Sequence, residues 1–139
     1  MVRREGELFP DEAWSAAQLA EEITHPARRY VVAAEKLPDG RRGGLLGYAG
    51  IMLAGDTADL HTIGAMVEGV GIGRALLTWC EAAAVTGGAG AMLLEVREDN
   101  TRARAFYERA GYAEVGRRRG YYRIAGRRVD AIVMRRDLP

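Results

Sequence analysis

Apolar residues recur along this chain in two alternating rhythms, one of about 3.6 residues and one of two, the signatures of helix and strand. Ala13, Ala16, Ala17, Ala20 and Ile23 stand at helical spacing and are closed by His25-Pro26, so a helix is expected over Asp11 to Thr24. Tyr30 to Glu35 and Leu45 to Leu53 read as strands joined through Pro38-Asp39-Gly40 into a hairpin, and Ala58 to Ala65 as a third strand. Helical spacing returns from about Ile72 to Thr86, with Leu76, Leu77, Cys80 and Ala84 on the buried face and Gly87-Gly88 as the stop. An apolar strand, Ala91 to Val96, precedes a helix capped by Asp99-Asn100-Thr101 and ended by Gly111. Two strands, Tyr112 to about Tyr122 and Val129 to Arg135, flank a turn at Ala125-Gly126-Arg127. This order implies the α+β class, a mixed sheet with helices packed on it.

Composition narrows the function classes. The chain has 139 residues, 48% of them hydrophobic, and a formal net charge of +1, which suits one globular domain with a real core. Its apolar runs are far shorter than a bilayer span and Met1 to Glu5 leads into no apolar targeting core, so a cytoplasmic protein without membrane contact is expected. The single cysteine, Cys80, lies on a helical apolar stripe and reads as a small buried thiol. With only His25 and His61 beside it and no ligand spacing, no metal site is expected. Residues 1–96 carry 8 basic and 13 acidic side chains and residues 97–139 carry 12 and 6, so the chain is acidic in front and basic behind. The triplet Arg117-Arg118-Arg119 comes without an aromatic stacking platform or a nucleic-acid motif, and a solvated strand end is the expected reading.

Three features carry candidate chemistry. Gly69-Val70-Gly71-Ile72-Gly73-Arg74 is a glycine-rich turn that runs straight into a helix, an arrangement that lets free amides approach a phosphate or pyrophosphate, although glycines before a helix also serve as plain turn formers. Glu95 is the one charged residue inside an apolar strand. A carboxylate there is either paired, with Arg97 two residues on along the same face as one partner, or used as a general base. Tyr107 shares the apolar stripe of its helix with Ala103 and Phe106. It is either core or, through its hydroxyl, a general acid for a thiolate leaving group.

Taken together, these segments resemble the GNAT superfamily of N-acetyltransferases from about Leu45 to the C-terminus. The residues that carry the resemblance are Leu94-Glu95-Val96-Arg97, Asn100, Ala105-Phe106-Tyr107-Glu108, Gly111-Tyr112, Arg118-Arg119-Gly120-Tyr121-Tyr122 and Asp130 to Met134. They are similar to the branch of that family that acetylates the N-terminal alanine of a small-subunit ribosomal protein. The resemblance implies a mixed, mostly antiparallel sheet with helices on both faces and acetyl-CoA as co-substrate. It makes Glu95 the base and Tyr107 the acid, pairs the strand edge Ile63-Gly64-Ala65 with the pantetheine arm, and places the pyrophosphate on Gly69, Val70, Gly71, Ile72, Gly73 and Arg74. It puts Asn100 near the reactive end of the cofactor and a backbone amide at Ala65 or Met66 on the thioester carbonyl. The acceptor implied is the N-terminus of a ribosomal protein or other peptide; a small amine or lysine, or CoA binding without turnover, are the alternatives.

Two departures from the family qualify the expectation. Glu68 stands where the family has Gln or Arg ahead of its glycines, and a carboxylate beside a pyrophosphate is repulsive. Only seven residues precede Leu8, so the family's first strand is expected to be missing, which leaves a sheet edge exposed and favours self-association. The acidic front, including Glu12, Glu21 and Glu22, is expected to face an acceptor with basic residues, and a loop from Arg119 to Arg128 with Tyr121 and Tyr122 to close over a small first residue.

Overall fold

The computed structural model describes residues 27–66 and 71–139, together with the backbone of Gln18–Ala20. The elements in chain order are β1 (Gln18–Ala20), β2 (Arg28–Lys36), β3 (Arg42–Ala54), β4 (Thr57–Ala65), α1 (Ile72–Thr86), β5 (Ala91–Arg97), α2 (Thr101–Arg109), β6 (Ala113–Ile124) and β7 (Arg127–Asp137). From β2 onward each expected element is present within a few residues of its expected ends. The hairpin turn after β2 closes through Gly40 N–H donating to the Leu37 carbonyl at 2.9 Å. Before β2 the pattern misleads: Gln18–Ala20 is a strand antiparallel to β2, with Leu19 opposite Val31, where a helix was expected. A run of alanines offers a helix little apolar area to bury, while the open edge of β2 supplies unpaired backbone groups. The rest of that segment, and the stretch before it where the family's first strand would stand, lie outside the described residues.

Among the described residues one seven-stranded sheet forms, in the order β1-β2-β3-β4-β5-β7-β6. Every neighbouring pair is antiparallel except β4 and β5, which are parallel. The apolar stripe of α1, Ile72, Leu76, Leu77, Cys80 and Ala84, is buried in one cluster with Leu46 and Ile51 of β3, Met92 and Leu94 of β5, and Ile132 and Met134 of β7. Beside α1, α2 contributes Tyr107, whose ring meets Phe106 and Tyr112 edge-on with centroids 5.2 and 5.8 Å away. Glu81 of α1 ties the helix to the far strands, accepting hydrogen bonds from the Tyr112 hydroxyl and Arg136, both at 2.7 Å.

The parallel pair holds only at its start. Ala58 stands opposite Met92 and Asp59 opposite Leu93, and beyond them the two strands part. A bulge explains the divergence: Gly50 of β3 faces Thr62 and Ile51 faces Leu60, so His61 is one residue too many in β4. Such an insertion bends its strand and increases the local twist, here turning β4 away from β5.

Candidate active site

Where β4 and β5 separate, a cleft of about 790 Å³ opens, walled by residues 60–65, 71–74 and 94–97 and by Asn100, Phe106, Tyr107 and Tyr122 among others. Of the residues singled out in the sequence, Ile63, Gly64, Ala65, Gly71, Ile72, Gly73, Arg74, Glu95, Asn100 and Tyr107 all line this one space. Gly69 and Val70 lie outside the described residues, as do Glu68 and the acidic Glu12, Glu21 and Glu22.

The β4 edge presents backbone groups to the cleft in a definite phase. Met66 N–H donates to the Leu46 carbonyl at 2.7 Å, so this amide is committed to β3. Antiparallel ladders alternate, and the amides of Ile63 and Ala65 therefore point the other way, toward the strand that has moved off. Of the two amides expected for a carbonyl, Ala65 is the available one and Met66 is not. Ile63 and Ala65 together can pair with an extended, amide-bearing chain as an added strand would.

The opposite end of the cleft is a helix start. Gly71 caps α1 in the left-handed region at φ 84, with no side-chain cap and no acidic residue in the first turn. The first hydrogen bond of the helix runs from Ala75 N–H to the Gly71 carbonyl at 3.0 Å, so the amides of Ile72, Gly73 and Arg74 have no acceptor within the helix. Amides without an intrahelical acceptor, the positive end of the helix dipole and the exposed Arg74 give this helix start the chemistry that suits a phosphate group. A Cβ at Gly71 would strike nothing within 4 Å, so only backbone conformation argues for glycine there. Gly71→Val forces a β-branched residue to positive φ, a strain of roughly 1–3 kcal/mol that is relieved by moving these amides. Calorimetry of the variant is expected to show acetyl-CoA affinity lower by about tenfold or more; an unchanged affinity would remove the turn from the site.

Glu95 points into the cleft from β5, and its side chain is 29% exposed rather than enclosed. Its partner is Arg118 of β6, with Nε 2.5 Å from Oε2, and not Arg97. Arg97 is held by Asp99 through two parallel bonds of 3.0 and 2.9 Å, which keep the Asp99 carboxyl below the usual carboxylate range. Among the described residues Arg118 engages one oxygen of Glu95 and leaves the other without a hydrogen-bond partner, and with Arg118 60% exposed the ion pair is open to solvent.

Tyr107 is both core and cleft. The residue is 7% exposed, yet its hydroxyl makes no hydrogen bond among the described residues and it borders the open space. Burial, with a smaller contribution from neighbouring Cys80, pushes the phenol up to about 12. Cys80 itself is fully buried and pushed up to about 12 by burial, which makes it a packing residue and no nucleophile. Asn100 is the N-cap of α2, its Oδ1 accepting from Ala103 N–H at 3.1 Å, so only its amide nitrogen is free to meet a ligand.

The final hairpin reaches the cleft through Tyr122. Residues expected as a loop from Arg119 to Arg128 are instead the end of β6, a tight turn at Ala125-Gly126 with both φ positive, and the start of β7. Two consecutive positive φ values match the right-handed twist of the strands and let them pair to the tip. Tyr121 is exposed beneath the Arg118 guanidinium, 5.3 Å from its ring centroid, and packs edge-on against Tyr122. Burial and then the charge of Glu95 push the Tyr122 phenol up. The sequence marked Tyr121 and Tyr122 but carried no sign that Arg118 would reach Glu95, because that contact joins strands separated by β7. Among the described residues no group of three His, Cys, Asp or Glu could hold a metal ion, and no helix is long and apolar enough to cross a membrane.

Comparison with known proteins identifies the family. The chain is 43% identical over 141 residues to the N-alpha-acetyltransferase RimI of Mycobacterium tuberculosis, an alignment covering 96% of this chain and 82% of that protein. Its fold matches the ribosomal-protein-S18-alanine N-acetyltransferase of Escherichia coli with a TM-score of 0.71 at 25% identity, covering 91% of this chain and 83% of the other. It also matches a nourseothricin acetyltransferase with a TM-score of 0.72 at 28% identity, over 82% and 67% of the two chains. The model of the acetyltransferase (GNAT) family matches residues 2–112. The donor of that family is acetyl-CoA. The chain belongs to the GNAT family of acetyl-CoA-dependent N-acetyltransferases.

Proposed function

We propose that the protein acetylates the N-terminal α-amine of a peptide or protein, with a ribosomal protein beginning in alanine as the model acceptor. The observation that carries this reading is the convergence of Glu95 and Tyr107, from β5 and α2, on the one cleft that has a free strand edge and a helix start. The similarity to an N-alpha-acetyltransferase over nearly the whole chain supports the class of amine.

Acetyl-CoA supplies an acetyl thioester, whose carbonyl carbon the amine attacks and whose carbon–sulfur bond breaks. The chain's own groups do the rest. The Ile63 amide aligns the pantetheine arm, Ala65 N–H is the donor for the thioester carbonyl oxygen, and the amides of residues 72–74 with Arg74 hold the pyrophosphate. The open oxygen of Glu95 takes the proton released by the amine. An α-amine has a pKa of about 8, so Glu95 has far less work to do than with a lysine. The Tyr107 proton goes to the departing sulfur.

Mass spectrometry after incubation with acetyl-CoA tests the acceptor. An alanine-started ribosomal peptide is expected to gain one acetyl group, on its α-amine. Equal or faster acetylation of lysine side chains or of a polyamine would overturn the peptide reading, and cofactor binding with no transfer to any amine would overturn turnover altogether.

The acid role has its own signature. With its phenol at about 12, Tyr107 keeps its proton across the working range and loses it only as pH rises through that value. The kcat profile is therefore expected to climb as the acceptor amine deprotonates and to show no fall below about pH 10. Tyr107→Phe retains the packing and removes the hydroxyl, and kcat should drop by about a hundredfold. Full activity in that variant would return Tyr107 to the core alone.

A further inference from the structure

The β6–β7 ladder contains an irregularity beside the cleft. Arg118 stands opposite Ala131 and Tyr122 opposite Val129, so β6 takes four steps where β7 takes two. In an unbroken ladder Tyr122 would face Arg127. The excess draws it back by two positions along β7, roughly 7 Å at the rise of a strand, toward the end that carries Arg118 and Glu95. Because the excess is even, Arg118 and Tyr122 remain on the same face of the sheet.

Asp130 holds this bulge. Gly120 at its centre has φ +60, a conformation a side chain rarely adopts, and its N–H donates to Asp130 Oδ1 at 2.7 Å. Arg117 Nη1 donates to Asp130 Oδ2 at 3.1 Å and to Glu98 Oε2 at 2.8 Å. The Asp130 carbonyl accepts from Glu98 N–H at 2.9 Å. One residue thus ties the bulge to the end of β5, three positions beyond Glu95. These donors, the Gly120 amide first and Arg117 second, hold the Asp130 carboxyl below the usual carboxylate range, so the clamp stays charged at neutral pH.

We propose that Asp130 is a positioning residue for the acceptor: through Gly120 and Arg117 it maintains the β6 bulge that seats Tyr122 beside Glu95, and it has no part in holding acetyl-CoA. The inference rests on the reading that the amine enters at the Glu95 end of the cleft. The donor groups, on β4 and the start of α1, lie across the cleft from this hairpin and make none of these bonds.

Asp130→Ala removes both oxygens, while Asp130→Asn keeps an acceptor for the Gly120 amide and loses the charge that holds Arg117. With the alanine variant, kcat/KM for the acceptor is expected to fall by at least about tenfold, and acetyl-CoA affinity in calorimetry to stay within about twofold of the parent. The asparagine variant should recover most of the loss. A purely structural role predicts a different pattern, a lower melting temperature with donor and acceptor constants worsening together, and that result would overturn the proposal. So would an acceptor kcat/KM unchanged in Asp130→Ala. Should that variant not fold, Arg117→Gln, at a partly exposed side chain, takes its place with the same split expected and the same results overturning it. The acceptor used is whichever amine the parent acetylates, so a failure of peptide acetylation counts against the α-amine reading and leaves this comparison intact.

Discussion

Glu95→Gln is expected to lower kcat by 10²–10⁴-fold, the range typical of general acid–base groups, while acetyl-CoA affinity stays nearly unchanged. The substitution is close to isosteric, and the amide oxygen still accepts from Arg118, whose Nε lies 2.5 Å from the present carboxylate. What is lost is the ability of the open oxygen to take a proton. The groups proposed to bind the donor, on β4 and α1, form no hydrogen bond or ion pair with this residue among the described residues, so a calorimetric titration should report intact cofactor binding beside the kinetic loss. If Glu95 serves only as the partner of Arg118, the outcome reverses: turnover persists, and the change shows as a small loss of stability, since an ion pair at this exposure contributes little.

Leu76→Ala carries the largest expected cost in stability, about 2–5 kcal/mol, or a fall in melting temperature of roughly 8–20 °C for a domain of this size. Leu76 is 1% exposed and reaches from α1 to the backbone of β3, where its Cδ1 would lie 2.8 Å from any Cβ placed at Gly47. The contact is tight on both sides, so the surroundings have little room to collapse into the cavity left behind. Because Leu76 also anchors the first turns of α1, the amides at the cleft depend on it indirectly. Below the new melting point acetyl-CoA should still bind. A melting temperature unchanged within a degree or two would show that α1 does not pack as described.

Much of this protein was legible before folding because its signals are local. The stripe of Leu76, Leu77, Cys80 and Ala84 needs no knowledge of its partner to mark a helix face, and the structure buries those four residues together with Ile72. Asn100 is a cap because its oxygen meets an amide three residues on, a distance set within one turn. Glu95, Tyr107 and the described part of the glycine turn, Gly71 to Arg74, stand on elements that border a single cleft. Where the local signal was thin, it failed: the alanine spacing of residues 11–24 suggested a helix, and the edge of β2 instead holds Gln18–Ala20 as a strand.

Other properties arise only when distant segments meet. Which amide of β4 faces the cleft depends on the phase of its ladder with β3, and Met66 donating to Leu46 makes Ala65 the free one. The partner of Glu95 could not be inferred from spacing along β5, because Asp99 captures Arg97 locally while β7 inserts between β5 and β6 and brings Arg118 across. The bulge at Gly120 is likewise a property of two strands, since a residue is surplus only relative to the one it faces. Periodicity encodes how each element divides its own surface between core and solvent. Register, ladder phase and charge pairing depend on neighbours far away in sequence, and here those neighbours shape the end of the cleft at which Glu95 stands.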